Sequence, residues 1–291
     1  MAGFCVGIMG LQHTAFAESG DWQVKADTQA LYGTYSSSIK RKSVSSTGLI
    51  VSADYLEKGG FSLGGNYTKL KFNGGSIINQ QAVYGNVRYN VYLDALPGPL
   101  TLRLDGHAIN NNDTTGNTDN VTVVAPQISF LNYDKTFYID LGYARSSYKN
   151  DLHVQQWTPT LGFGFNEGTD WVQVRGYFIN PSNALRAQNK SKTSAVDMKW
   201  THWLNPETSL GLEKVQISGL VGERIYAVDG DAAAVYNLAD VQRGSVSLAL
   251  QWRLSQAFHL MLAAGNERYL DNTINDSYNN RFAYIDLTTQ W

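Results

Sequence analysis

The amino-acid sequence predicts an all-β chain, folded as a single closed antiparallel transmembrane β-barrel of about 14 strands. Three observations carry this prediction: segments in which apolar and polar residues alternate, two kinds of connection between these segments, and a final segment that stops on an aromatic residue. In a β-strand successive side chains point to opposite faces, so alternation gives each segment one apolar and one polar face.

The composition agrees with strands that are apolar on one face only. Charged residues make up 16% of the 291 residues and aromatic residues 12%, whereas ordinary soluble domains carry roughly 25% charged residues. No run of 18 apolar residues occurs, which argues against a transmembrane helix. The formal net charge of −2 provides no basic field, so we exclude nucleic acid as a partner.

The N-terminus predicts a signal peptide over residues 1–17, followed by a barrel over residues 18–291. Residues 4–11 form a short apolar run, and Ala15-Phe16-Ala17 is a cleavage signal of the A-x-A type. The single cysteine, Cys5, falls in this segment. The mature chain would therefore have no disulfide, no thiolate metal site and no cysteine nucleophile.

The connections between the alternating segments predict which end of the barrel lies on which side of the membrane. One kind is short and rich in turn residues: 57–60, 96–99, 132–135, 167–170, 205–208 and 255–257. The other kind is longer and polar: 39–43, 72–79, 110–119, 147–153, 182–190, 219–238 and 270–277. The two kinds alternate strictly, as short periplasmic turns and long extracellular loops do in bacterial outer-membrane barrels.

The final segment, residues 280–291, is predicted to be the strand that closes the barrel. One face carries Ala283, Ile285, Leu287 and Trp291, and the other carries Tyr284, Asp286, Thr288 and Gln290. We expect Ile285, Leu287 and Trp291 to form the C-terminal signal through which the barrel-assembly machinery inserts the chain. An interfacial position would suit the terminal aromatic ring.

The apolar faces are predicted to contact lipid and the polar faces to line the lumen, because 14 strands enclose a space too wide for side chains to fill. A soluble β fold with the apolar face inside is the alternative. Aromatic residues near predicted strand ends suggest interfacial girdles: Tyr55, Trp157, Trp171, Trp203, Trp252 and Trp291. The parity of the segment after residue 209 changes between Leu212 and Val215, which predicts a β-bulge.

The predicted lumen-facing residues carry both signs of charge in near balance. They are Arg88, Arg103, Asp105, His107, Asp140, Arg175, Asp197, Lys199, Arg243, Arg253 and Asp286. Such charges either pair and occlude the lumen, or leave a weakly selective channel. Inward tyrosines would also suit a sugar-like solute: Tyr84, Tyr92, Tyr138, Tyr177 and Tyr284. The longest connection, 219–239, either enters the mouth as a constriction or stays outside as a binding surface.

A hydrolase with its active site on the predicted lumen-facing side of the strands is a less favoured function. His107 lies two residues from Asp105, and Ser146 is a conceivable nucleophile. A lumen hydrogen-bond pair explains His107 and Asp105 more simply, and His259 stands alone near a turn. No metal-ligand spacing occurs, so the sequence predicts no enzyme, no metal and no cofactor.

The C-terminal third resembles the YaiO-type outer-membrane barrels. The likeness rests on the N-P-E-T turn at 205–208 and on residues 243–270, where a basic residue enters an S-V-S-L strand and an L-x-L-x-A-G strand follows a turn with glutamine. The resemblance implies a single barrel with a role in the envelope or in polysaccharide functions, and it supplies no catalytic residues.

Together these observations predict a protein of the bacterial outer membrane and, as the leading function, a porin-like channel for small polar or sugar-like solutes. The alternative is a structural or surface-interaction envelope barrel with an occluded lumen. The expected partners are outer-membrane lipid and lipopolysaccharide, the barrel-assembly machinery, and a small polar solute or saccharide.

Overall fold

Fourteen antiparallel strands close into one barrel, as the sequence predicts. The computed structural model describes residues 21–114, 116–230, 234–237 and 239–291, so the predicted signal peptide, 1–17, lies outside the described residues. The barrel strands are β1 (Trp22–Ser36), β2 (Arg41–Tyr55), β3 (Gly59–Phe72), β4 (Ile77–Val91), β5 (Leu100–Asn111), β6 (Val121–Leu131), β7 (Phe137–Tyr148), β8 (Leu152–Phe165), β9 (Asp170–Pro181), β10 (Thr193–Trp203), β11 (Leu212–Arg224), β14 (Val241–Arg253), β15 (Phe258–Asp271) and β16 (Asp276–Gln290).

Each strand pairs with its neighbour in the chain, apart from β11, which pairs with β14. Between these two, β12 (Val228–Asp229) and β13 (Ala234–Val235) form a separate hairpin. The final segment closes the barrel against β1, with a register that runs from Lys25 opposite Gln290 to Ser36 opposite Asn279. The seam continues to the last residue, because the Trp291 amide donates to the Val24 carbonyl at 3.0 Å and the Trp291 carbonyl accepts from the Val24 amide at 2.9 Å.

The apolar faces of the strands point outward. Leu248 and Leu287 are 46% and 40% exposed, whereas Tyr284 and Asp286 on the opposite parity are 5% and 4% exposed. The outside is therefore an apolar band that would be costly to hold in water and suits the hydrocarbon of a bilayer. Among the described residues, no helix has the length and apolar character that crossing a membrane requires.

The two rims of the barrel differ in which connections they carry. Both chain ends and the connections 56–58, 92–99, 132–136, 166–169, 204–211 and 254–257 lie at one rim, here called the terminal end. The other rim, the loop end, carries 37–40, 73–76, 112–120, 149–151, 182–192, 225–240 and 272–275. The predicted strict alternation of length is wrong, because several strands extend through the polar stretches and leave turns of three or four residues at the loop end. Only 112–120, 182–192 and 225–240 are long there.

Only some of the aromatic residues predicted to form interfacial girdles lie on the outer surface of the barrel. Trp291 is exposed at the terminal end, but Trp171 turns inward and is buried. The glycines of β8 make room for it, since a Cβ atom on Gly162 would lie 2.4 Å from the Trp171 ring. The bulge predicted between Leu212 and Val215 is confirmed as a register shift between Leu212 and Lys214.

Candidate functional site in the lumen

The described part of the connection 225–240, which is 225–230, 234–237, 239 and 240, lies in the lumen, so the sequence's first alternative is the correct one. Ile225, Tyr226, Ala227 and Val228 are at most 3% exposed. Tyr236 donates its amide hydrogen to the Ala227 carbonyl at 2.7 Å, so the two arms of the connection lie side by side. We call this segment, with β12 and β13, the lumen hairpin.

Side chains from β5, β8 and β9 bind the backbone and the carboxylate of the lumen hairpin. The Gln156 amide donates to the Val228 carbonyl at 2.6 Å and accepts from the Val228 amide at 2.9 Å. The Arg103 guanidinium donates to the Gly230 carbonyl at 2.6 Å. Arg175 lies 3.1 Å from the Asp229 carboxylate. Charge-assisted and paired bonds of this kind hold a loop in one position.

Two further anchors fix the base of the lumen hairpin at the loop end. Arg41 makes two bonds to the Asp240 carboxylate, at 2.8 and 2.6 Å. The Arg224 guanidinium stacks 3.9 Å from the centre of the Tyr236 ring, in the geometry of a cation–π contact. Burial raises the pKa of the Tyr236 phenol above its ordinary value, so the ring stays uncharged beside this cation.

The lumen hairpin is held by apolar contact as well. The inward face of the strands near the loop end carries Ile109, Val121, Val123, Val154 and Ile179, which pack in one buried cluster with Ile225, Val228 and Val235. Bare apolar side chains would be unfavourable in a water-filled lumen, and the hairpin covers them. Apolar residues on the inward parity of these strand ends, where a water-filled lumen would need polar ones, are the sequence signal that something fills the lumen there.

Most of the predicted lumen-facing residues lie on the inward parity of the strands. Asp105, His107, Asp140, Arg175 and Asp286 are buried there. Arg88, Arg103, Asp197, Lys199 and Arg253 share that parity and are half-buried.

The assignment of Arg243 to the lumen is wrong. The pairing of β14 with β15 shifts between Gln242 and Gly244, so Arg243 is the extra residue of a bulge. Gln242 takes the inward position instead and bonds Glu267. Arg243 is exposed, with its Nε 3.5 Å from the Glu223 carboxylate.

Four of the five tyrosines predicted to face inward do so. Tyr84, Tyr138, Tyr177 and Tyr284 are buried on the inward parity. Tyr92 lies beyond the end of β4, is 45% exposed, and donates to the Glu57 carbonyl at 2.7 Å. Tyr92 belongs to a turn at the terminal end. Since β4 ends at Val91, the alternation of inward and outward side chains does not extend to Tyr92.

The lumen charges pair along one wall. Arg88 pairs with Asp54 two strands away, and Arg175 lies 3.6 Å from Asp140, also two strands away. Arg103 bonds Asp105 of its own strand at 2.8 Å. The balanced signs therefore neutralise each other locally, and it is the lumen hairpin that narrows the barrel.

A stretch of lumen wall opposite these anchors keeps contact with water. On the inward parity of β1 to β3, Lys25, Asp27, Gln29 and Ser52 are half-buried and Asn66 is exposed. Lys25 lies 3.4 Å from Asp27. We call these five residues the open wall. It is polar, carries both charges, and is not covered by the described part of the lumen hairpin.

The candidate hydrolase residues do not assemble. Asp105 accepts hydrogen bonds from Tyr84 and Arg103, and His107 Nε2 is buried without a partner among the described residues. Ser146 faces Val123, which faces His107, so a whole strand separates the hydroxyl from the ring.

His259 is not alone, contrary to the expectation from sequence. Its Nδ1 lies 2.7 Å from the Glu213 carboxylate, which also accepts from Gln251 at 2.6 Å. Glu213 is the extra residue of the β11 bulge and is buried on the inner side of the barrel. In the described part of the chain, no three His, Cys, Asp or Glu side chains are grouped so as to hold a metal ion.

The comparisons with known proteins agree with the fold. No family model matches the sequence, and no curated protein matches it either. Among solved structures, a bacterial polysaccharide outer membrane secretin has 11% identity and a TM-score of 0.54, over 91% of this chain and 98% of that one. Omp33 of Acinetobacter baumannii has 9% identity and a TM-score of 0.49, over 92% of this chain and 99% of that one. The likeness to the secretin thus indicates the fold of an outer-membrane barrel, in agreement with the outward apolar band.

Proposed function

We propose that the protein is an outer-membrane channel for small polar solutes, which the lumen hairpin narrows to a path along the open wall. The observation that carries this proposal is the contrast between the two sides of the lumen. One side is covered by the anchored hairpin, and the other keeps Asn66 and its polar neighbours in water.

The charges along this path favour weak ion selectivity. Lys25 pairs with Asp27, and Arg88 with Asp54, so neither sign dominates the open side. A selective pore needs an excess of one sign near its narrowest part. Hydroxyl and amide groups such as Ser52, Gln29 and Asn66 instead suit neutral polar solutes, among them sugars.

Asn66→Trp should lower the single-channel conductance of the purified protein in a planar bilayer. The residues opposite it on the neighbouring strands are Gly48 and Ala82, so an indole at position 66 has no bulky neighbour to pack on and projects into the lumen. Leu63→Trp is the matched control, because Leu63 lies on the same strand and faces outward with 62% exposure.

Equal conductance of the two tryptophan variants would refute a path along the open wall. The runner-up function, an envelope barrel with an occluded lumen, draws support from a second buried cluster inside the barrel that includes Tyr35, Tyr269, Tyr278 and Phe282. A wild-type protein without measurable conductance would favour it. The resemblance to YaiO-type barrels and the role of Ile285, Leu287 and Trp291 in assembly stay predictions.

A further inference from the structure

The outward faces of the 14 strands, all of which the structure describes, carry their basic residues at the loop end only. These residues are Lys42, Lys69, Lys71, Arg145, Arg243, Arg268 and Arg281. Lys42, like Arg243, is the extra residue at a register shift. The outward faces near the terminal end carry no lysine or arginine. Outward carboxylates on the strands are limited to Asp170 at the terminal end and Glu223 at the loop end.

Three of these cations are neighbours on adjacent strands. Arg268 of β15 faces Gly244, the residue next to Arg243 on β14. Arg281 of β16 faces Asn266, two residues before Arg268 on the same face. Diagonal positions of this kind lie roughly 7–8 Å apart, within reach of long side chains. All three arginines are exposed on the outside of the barrel.

A row of hydroxyl groups connects this cluster to a further cation. Arg281 faces Thr34 on β1, Thr34 faces Ser43 on β2, and Ser43 faces Lys71 on β3. Three strand spacings separate the two charges by about 14 Å along the surface. We call Arg243, Arg268, Arg281, Thr34, Ser43 and Lys71 the basic patch.

Among the described residues, Glu223 is the carboxylate that contacts the basic patch, and it does not neutralise the patch. Glu223 lies 3.5 Å from Arg243 but already pairs with Lys190 at 2.6 Å. The excess charge of the patch therefore calls for an anion from outside the chain, since cations at a lipid boundary are costly without a counter-charge.

The difference in outward basic residues between the two ends of the barrel indicates which anion fits the basic patch. Lysine and arginine that simply extend their charged ends toward water would occur at both membrane interfaces. On the outward faces of the strands they occur only at the loop end, whereas the terminal end has Lys58 and Lys135 in its turns. The loop end is the outer side of the membrane when both chain ends are periplasmic. The counter-charge must therefore belong to the outer leaflet.

We propose that the basic patch binds the phosphorylated sugar headgroup of lipopolysaccharide, the glycolipid of the outer leaflet. The guanidinium groups match phosphate oxygens in two-pronged hydrogen bonds. The hydroxyls of Thr34 and Ser43 lie between the cationic ends, where a sugar would meet hydrogen-bonding groups.

The test measures binding to the purified full-length protein in neutral detergent. The probes are lipopolysaccharide, the same lipopolysaccharide after enzymatic dephosphorylation, and phosphatidylglycerol. The variant carries Arg268→Gln and Arg281→Gln together, and its matched control is Arg145→Gln, an exposed outward arginine on β7 far around the barrel. We expect the double variant to bind lipopolysaccharide more weakly, by about fivefold for each arginine removed, and the control to bind as the wild type does.

Dephosphorylation should weaken binding to the wild type and should leave little difference between wild type and double variant. Unchanged binding by the double variant would overturn the proposal, and so would equal binding of the dephosphorylated form. Phosphatidylglycerol that competes as well as lipopolysaccharide would show a general anion surface and would overturn it too. The shift in gel mobility between heated and unheated samples, together with single-channel conductance, checks that each variant still forms the barrel.

Discussion

Replacing residues 228–235 with Asn-Gly should raise the single-channel conductance several-fold. The arms of the lumen hairpin are already adjacent at Ala227 and Tyr236, which share a 2.7 Å backbone hydrogen bond. An Asn-Gly turn can join them because it fits a two-residue connection between antiparallel arms. The change removes Asp229 and Gly230, through which Arg175 and Arg103 hold the hairpin inside, and leaves the Asp240 anchor at the rim in place.

Shortening the connection 204–211 by six residues, the same net change in length, is the matched control. It lies at the terminal end, where Leu210 is 98% exposed, and we expect no change in conductance. Arg175→Glu offers a second route to the same outcome, because it places a carboxylate between Asp140 and Asp229 and should expel the hairpin by charge repulsion. If the truncated protein conducts no better than the wild type, the lumen hairpin is not the constriction.

Leu248→Arg should destabilise the folded barrel by about 2–4 kcal/mol, the cost of an arginine near the middle of the bilayer on the lipid face. Leu248 lies midway along β14 and points outward. The free energy of unfolding, measured by urea titration of protein reconstituted in lipid vesicles, would report the loss.

Leu254→Arg provides the depth control. Leu254 follows the end of β14 at the terminal end and is 59% exposed. An arginine near the interface costs only about 0–1 kcal/mol on the lipid face, since its charged end reaches water. Equal losses for the two variants would mean that the outward face does not lie in a bilayer with Leu248 near its centre.

The alternation of apolar and polar residues was enough to predict the closed barrel and, for most strands, which side chains point into the lumen. A period of two assigns every residue of a regular strand to a face, and Asp105, Asp140 and Asp286 lie where it places them. The assignment failed at Arg243, because it is the extra residue of a bulge. A bulge shifts parity, and its place depends on the pairing of two strands.

The lumen hairpin was harder to predict. Its anchors, Arg103, Gln156 and Arg175, come from three strands that precede it by dozens of residues, and only the closed barrel brings them together. The sequence of the connection was compatible with a position inside the lumen and equally with a position outside the barrel. Trp171 illustrates a similar limit, because its inward position depends on the space above Gly162 of the preceding strand.

The anchors of the lumen hairpin and the open wall come from different parts of the chain. Residues 100–181 hold the hairpin in the lumen, whereas the open wall comes from β1 to β3, within residues 22–72. In the described part of the chain, Arg41 of β2 holds Asp240 at the rim, and the anchors inside the lumen come from the later strands. Substitutions that change the size or charge of the side chain at Gln29, Ser52 or Asn66 should therefore alter which solutes pass the channel, while the fold of the barrel and the position of the hairpin are kept.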